Sequence, residues 1–292
     1  MNKNISAIGF KSILNKRKAL SDIIRRISDN PDKSQVSVNK NGRTQLEQYG
    51  YIGESFGLVL YAARGENGET KVNRWHPFAV ADQNMRISNV SFEKMQNGSI
   101  FAYCEDASTG TELEFRLNNQ MDFETLKAQK STVLLDDADA NIIALGKIGN
   151  IIFPIEKNED AIRMREEENE TRRNLLSLLR KGDETAEQKL YEHSVEIASA
   201  VHERLKTEDV LSVFEGYCLP YGTTDGTFAL LGDIIETDEM FNRLTDETVY
   251  SLMLDVTGVS IQLLINQNDV VGMPISGMRF MVVCDLQGSI RF

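Results

Sequence analysis

A chain of 292 residues, 41% hydrophobic and 26% charged, can bury a large core without disulfides or metals and does not have the composition of a disordered protein. Its 44 acids against 32 bases give a net charge of −12, which argues against a general phosphate-backbone binder, so nucleic acid is not an expected partner. Three scattered cysteines, Cys104, Cys218 and Cys284, speak against a secreted disulfide framework, and no run of eighteen apolar residues occurs; the expectation is a cytoplasmic protein with no membrane partner.

In chain order, apolar residues from Ile13 to Ile27 recur at helical spacing and predict an amphipathic helix over 12–27, ended by "DNPD". Its basic residues read as a solvated outer face. Residues 34–155 then change period. "SIFAYCED" and "TELEFRL" flank "ASTG" and predict a β-hairpin, because Leu113, Phe115 and Leu117 alternate with charged residues. "STVLLD" and "NIIALGKI" flank "DADA" and suggest a second hairpin, its aspartates serving a turn rather than a calcium loop. Residues 157–206 read as a helical hairpin broken at "KGD". From Asp209 the pattern is strand-like to Phe292.

The hairpin at 99–119 has an echo at 247–266. With Asp106 set on Asp255, Ile100, Phe101 and Tyr103 match Val249, Tyr250 and Leu252, and Thr109-Gly110 matches Thr257-Gly258. Leu113, Phe115, Leu117 and Asn118 then match Ile261, Leu263, Ile265 and Asn266, and "GNIIF" at 149–153 matches "GSIRF" at 288–292. Two anchors in one order predict an internal duplication. The expected fold is therefore α+β. An N-terminal amphipathic helix and a first β-rich lobe fill 1–155, a helical connector 156–207, and a second, related β-rich lobe 208–292.

The segments "AIGF", "LNNQMDF", "LPYG", "LTDETVYSLMLDVTGVSIQLLIN" and "DVVGMPISGMRF" together resemble an uncharacterised bacterial family of full-length proteins about 290 residues long. The resemblance spans nearly the whole chain and implies a shared fold without naming a reaction. The family's pattern sets an acidic residue before the proline of the last segment and an arginine before its Arg-Phe pair. Met273 and Met278 stand there in this chain, so no charged site carries over to that loop.

Chemistry is sparse. There is no phosphate-cradling glycine loop, no Gly-x-Ser-x-Gly elbow and no zinc-helix motif, since His193 and His202 lie nine apart on opposite sides of their helix. No cofactor and no metal is expected. Two clusters remain as candidate binding surfaces. One is Arg74, Trp75 and His76 in "NRWHPF", where an exposed Trp-His pair would stack on a ligand and a buried Trp75 would be a core anchor. The other is Asn266, Asp269 and Arg279, around the "NQNDVVGMPISGMRF" loop. The leading expectation is a non-catalytic intracellular binding or scaffold protein whose partner, another protein or a second copy, is not specified. The alternative is a hydrolase or transferase with a site in the inter-lobe cleft, using His76 or Asp269 as general base.

Overall fold

The computed structural model describes residues 4–38, 42–65, 67–130, 133–155, 159–223 and 226–292, which form an α+β fold with two β-sheets. Two 3-10 turns, Ser6–Ile8 and Lys11–Ile13, lead into α1, Arg17–Asp29. Leu20, Ile23, Ile24 and Ile27 share one face of α1 and pack inward, while Lys16, Arg17, Lys18, Arg25 and Arg26 are exposed.

The smaller sheet is an antiparallel meander of β1 (Lys33–Val38), β2 (Thr44–Tyr51), β3 (Phe56–Arg64) and β4 (Thr70–Ala79). Alternation gives it two different faces. Phe56, Leu58, Leu60 and Trp75 face a core shared with α1, the N-terminal turns and Ile143, Leu145 and Leu264 of the larger sheet. Gly50 admits α1 to this face, because a Cβ there would lie 2.4 Å from Ile27 Cγ1. Tyr49, Tyr61 and Phe78 occupy the other face.

The larger sheet contains β5 (Met85–Lys94), β6 (Ile100–Asp106), β7 (Glu112–Leu117) and β8 (Leu135–Ile152). It continues with β9 (Tyr217–Pro220), β10 (Thr227–Phe241), β11 (Thr248–Val256), β12 (Val259–Asn266), β13 (Val270–Val271) and β14 (Arg279–Ile290). Its pairings close two five-stranded rings. One runs β5-β6-β7-β14-β8 and the other β10-β11-β12-β8-β14, so the antiparallel β8–β14 ladder belongs to both. Each shared strand changes partner along its outer edge. β8 meets β5 at its start and β12 in parallel further on, and β14 meets β10 and then β7 in parallel. Inward residues of both rings, among them Phe115, Phe228, Leu252 and Phe280, form a single core. The pairings therefore cross the expected boundaries at 155 and 208.

One expected hairpin is absent. The "DADA" segment lies inside the single 18-residue strand β8, where Ala138 and Ala140 turn inward and Asp137 and Asp139 are exposed. Period-two alternation outweighs the turn preference of aspartate here, and Arg86 faces Asp137 across the strands at 3.4 Å. Ser131 and Thr132, expected in that hairpin, lie outside the described residues, as do 156–158 at the start of the connector. The helical hairpin is formed by α3 (Glu159–Arg180) and α4 (Glu184–Arg204), with Gly182 at φ 84° between them and Asp183 capping α4. Between β7 and β8 lies α2 (Gln120–Gln129), and before β9 the short α5 (Val210–Val213).

Candidate functional site

Strand alternation decides the fate of the "NRWHPF" cluster. On β4, Trp75 packs into the core face of the small sheet, whereas Arg74, His76 and Phe78 stand on the opposite face. A Trp75–His76 stacking platform is therefore not formed. Instead, register brings together residues remote in sequence: Glu47 lies opposite Tyr61, and Tyr61 opposite Arg74. In the next row Tyr49 is opposite Val59, and Val59 opposite His76. Over these rows sits the start of α2, tied to β14 by Asn118 N–H donating to Gly288 O and by Asn119 Nδ2 donating to Ile290 O.

The result is a buried polar network. Glu47 Oε1 and Tyr49 Oη are 2.8 Å apart, and Met121 N–H donates to Glu47 Oε2 at 3.0 Å. The Glu47 carboxyl thus caps α2 from another strand, a placement that suits an anion. Burial nevertheless dominates and pushes Glu47 up to about 7; the Met121 N–H bond, and the Tyr49 bond whenever the phenol points its hydrogen at the carboxylate, act the other way. The Asn118 carbonyl lies 3.1 Å from Tyr49 Oη and 2.9 Å from Tyr61 Oη, and Tyr61 Oη lies 3.1 Å from His76 Nε2. Burial also pushes both phenols up, so neither ionises in any ordinary pH range.

Arg74 is mostly withdrawn from solvent, and burial lowers its pKa. Its guanidinium lies 4.3 Å from the Tyr61 ring centroid, and it donates to Gln120 Oε1 at 2.6 Å and to Asn97 O at 3.4 Å. Among the described residues no carboxylate forms an ion pair with it; Glu47 and Glu124 act on it only at longer range. Arg74 opens onto a cavity of about 280 Å³ that Glu47, Tyr61, Gln120 and Lys94 also line. Gly98, at φ 79°, closes one wall, where a Cβ would come within 3.1 Å of Arg74 Nη1.

The second predicted cluster is divided. Asn266 is fully buried, donating to Ser6 O at 3.2 Å and Glu247 Oε2 at 2.6 Å and accepting from Asn268 N–H. Asp269 accepts from Ser6 Oγ and pairs with Lys11, while Glu247 accepts from the Lys11 and Ser12 N–H groups. Burial raises the Glu247 pKa, but the bonds from Ser12, Asn266 and Lys11 outweigh it and hold the carboxyl below its ordinary value. These residues fasten the N-terminal turns to β11 and β12. Arg279 is engaged elsewhere, donating to Phe153 O, Leu211 O and Phe214 O and so tying the α5 segment to the end of β8.

Larger cavities, of about 430, 620 and 650 Å³, lie around the two matched hairpin turns, the second of them also lined by α3 and α4 and the third by α3. Size and chemistry disagree, and we favour chemistry. The Asp106, Ser108 and Thr109 groups there are spent on turn bonds, and Arg204 is paired with Glu208 at 2.8 Å. The smaller cavity, by contrast, has a buried carboxyl near neutrality beside an unmatched guanidinium. The cysteine thiols are removed from chemistry, since burial pushes Cys104 and Cys218 up to about 12 and holds Cys284 well above the ordinary thiol value. Among the described residues no His, Cys, Asp and Glu side chains gather as a metal site, and no helix is long and apolar enough to cross a membrane.

Of the residues gathered here the sequence singles out Arg74 and His76 as candidates, and it does not single out Glu47, Tyr49, Tyr61 or Gln120. The only signal available was the spacing of Glu47 and Tyr49 in "TQLEQYGY", two apart and so on one face of a strand.

The chain belongs to the family described as "Domain of unknown function, E. rectale Gene description (DUF3881)", whose model matches residues 5–288. No curated protein and no solved structure matches it.

Proposed function

We propose that this member of a family without an assigned activity is an intracellular, non-catalytic binding protein that holds a small anionic molecule, a carboxylate or phosphate ester, in the pocket at Arg74. One observation carries the reading: a largely buried guanidinium faces a cavity and has no carboxylate partner among the described residues. A guanidinium partly withdrawn from water with no carboxylate paired to it loses hydration, and a ligand carboxylate or phosphate accepting two guanidinium N–H bonds would offset that loss. Tyr61 beneath and Gln120 beside the guanidinium fix its plane, so the fork is preorganised. Native against denaturing mass spectrometry of the protein from its own host would reveal a retained acid. Titration calorimetry with sulfate and acetate then tests the seat: Arg74→Gln should abolish the binding heat, and a variant that binds like the wild type refutes the assignment.

The raised carboxyl of Glu47 favours a second reading, in which the same pocket performs hydrolysis or group transfer with Glu47, rather than His76 or Asp269, as general acid. Turnover of an activated ester or phosphoester, lost in Glu47→Gln, would support it.

The internal duplication belongs to the same proposal as its architectural part. What supports it is the pairing: β7 runs parallel to β14 as β12 runs parallel to β8, and Ala144 faces Leu286 midway between the pairs Gly146–Cys284 and Ile142–Gly288. That symmetry matches Gly288 with Gly146 and not with Gly149.

A further inference from the structure

We propose that the anion seated on Arg74 enters together with a proton that settles on Glu47, so that the pocket takes up its ligand as an anion–proton pair. The inference rests on the reading of Arg74 as the anion seat. Its geometry comes from four consecutive contacts: Glu47 Oε1 to Tyr49 Oη, Tyr49 Oη to Asn118 O, Asn118 O to Tyr61 Oη, and Tyr61 Oη to His76 Nε2. Each contact needs one hydrogen, and the two hydroxyls supply two. His76 Nδ1 lies 3.0 Å from Pro77 O, which only accepts, so that nitrogen is assigned the hydrogen, and with one hydrogen on the ring Nε2 accepts from Tyr61. The Asn118 carbonyl then depends on Tyr49. With the Tyr49 hydrogen so committed, the 2.8 Å contact to Glu47 is a hydrogen bond only when the carboxyl itself donates. An ionised Glu47 would draw the Tyr49 hydrogen away and leave the buried Asn118 carbonyl with neither hydroxyl.

The charges around Glu47 favour the same coupling. Lys33 from β1, Arg74 and His76 from β4, Arg116 from β7, and Asp122 and Glu124 from α2 surround the carboxyl and its tyrosines. Arg74 faces the cavity at this row together with Lys94, and Glu47 acts on the Arg74 charge. A ligand anion on Arg74 sets a second negative charge beside the carboxyl and raises its proton affinity further. In the free protein Glu47 titrates near 7. Below that pH the proton is already in place and affinity levels off. Above it, binding must draw a proton from solvent, and affinity falls as pH rises, by at most about tenfold per pH unit for one proton.

The experiment is titration calorimetry of the full chain with sodium sulfate, whose charge is constant between pH 6 and 9, in Hepes and in Tris at pH 8. Proton uptake makes the apparent heat differ between the buffers by the difference in their ionisation heats multiplied by the protons taken up, here expected between about one half and one. Glu47→Gln, whose amide imitates the protonated carboxyl, should lose both the buffer difference and the pH slope and sit near the wild type's low-pH affinity. Binding with identical heats in both buffers overturns this inference and leaves the anion seat standing. A pH slope that persists in Glu47→Gln overturns it as well, by placing the proton elsewhere. If neither sulfate nor acetate binds at any pH, the anion seat and the coupling fall together.

Discussion

At the end of β7, Asn118 gives its backbone carbonyl to Tyr49 and Tyr61, and the chain turns into α2 over the polar pocket. At the end of β12, the matched Asn266 gives its side chain to Ser6 and Glu247, and the chain makes a 3-10 turn into β13. The hairpins leading to these points share an Asp, a Thr-Gly turn and inward apolar residues, yet one end shelters a titratable network and the other fastens the N-terminal segment. What packs against the strand ends makes the difference. The small sheet supplies Glu47, Tyr61 and Arg74 to the first, whereas the N-terminal turns supply Ser6, Lys11 and Phe10 to the second. Similar backbone thus serves as frame, and chemistry comes from the elements laid on it.

The comparison can be broken most sharply at the N-terminal lock. Phe10 is fully buried in the core between the sheets, so Phe10→Ala should cost about 3–5 kcal/mol in denaturant unfolding. A loss below about 1 kcal/mol would mean that the second strand end fastens nothing of consequence. At the other end, Glu47 is raised from 4.5 to about 7 by burial. The folded state therefore holds a proton that the unfolded chain has released, and stability falls as pH rises from about 4.5 through 7. The wild type should lose up to about 3 kcal/mol over that window, and Glu47→Gln should flatten the curve. A wild-type curve already flat there would dissolve the contrast between the two ends. The smallest expected effect concerns the turns. Asp106 Oδ1 accepts from the N–H groups of Ser108 and Thr109 and from both hydroxyls, whereas Asp255 Oδ1 accepts from Gly258 N–H. Asp106→Ala should cost about 2 kcal/mol and Asp255→Ala about 1 kcal/mol or less; equal losses would make the turns interchangeable.

The legible parts of the fold were those written locally. The hairpin of β6 and β7 shows its alternation, and the break at Gly182 shows in "KGD". The "DADA" stretch was misread because aspartate signals turns, and only the long ladder to β14 reveals β8 as one strand. The site was half visible. Arg74 and His76 stand out in "NRWHPF", but what gives them chemistry is the register that sets Tyr61 beside Arg74 and Glu47 beside Tyr61. Cross-strand register depends on bulges and loop lengths, such as the bulge between Tyr61 and Ala62, that no residue pattern announces.

The ladder of β8 and β14 also constrains how the molecule can be made. Neither ring can close until β14, the latest strand in sequence order, is laid against β8, with which it pairs across more than a hundred intervening residues. During synthesis β5, β6 and β7 must wait with an open edge while α3, α4 and the second hairpin emerge. Such late, long-range pairing slows folding and leaves sheet edges exposed to other nascent chains. The emergence of β14 is therefore the earliest moment at which both rings can close.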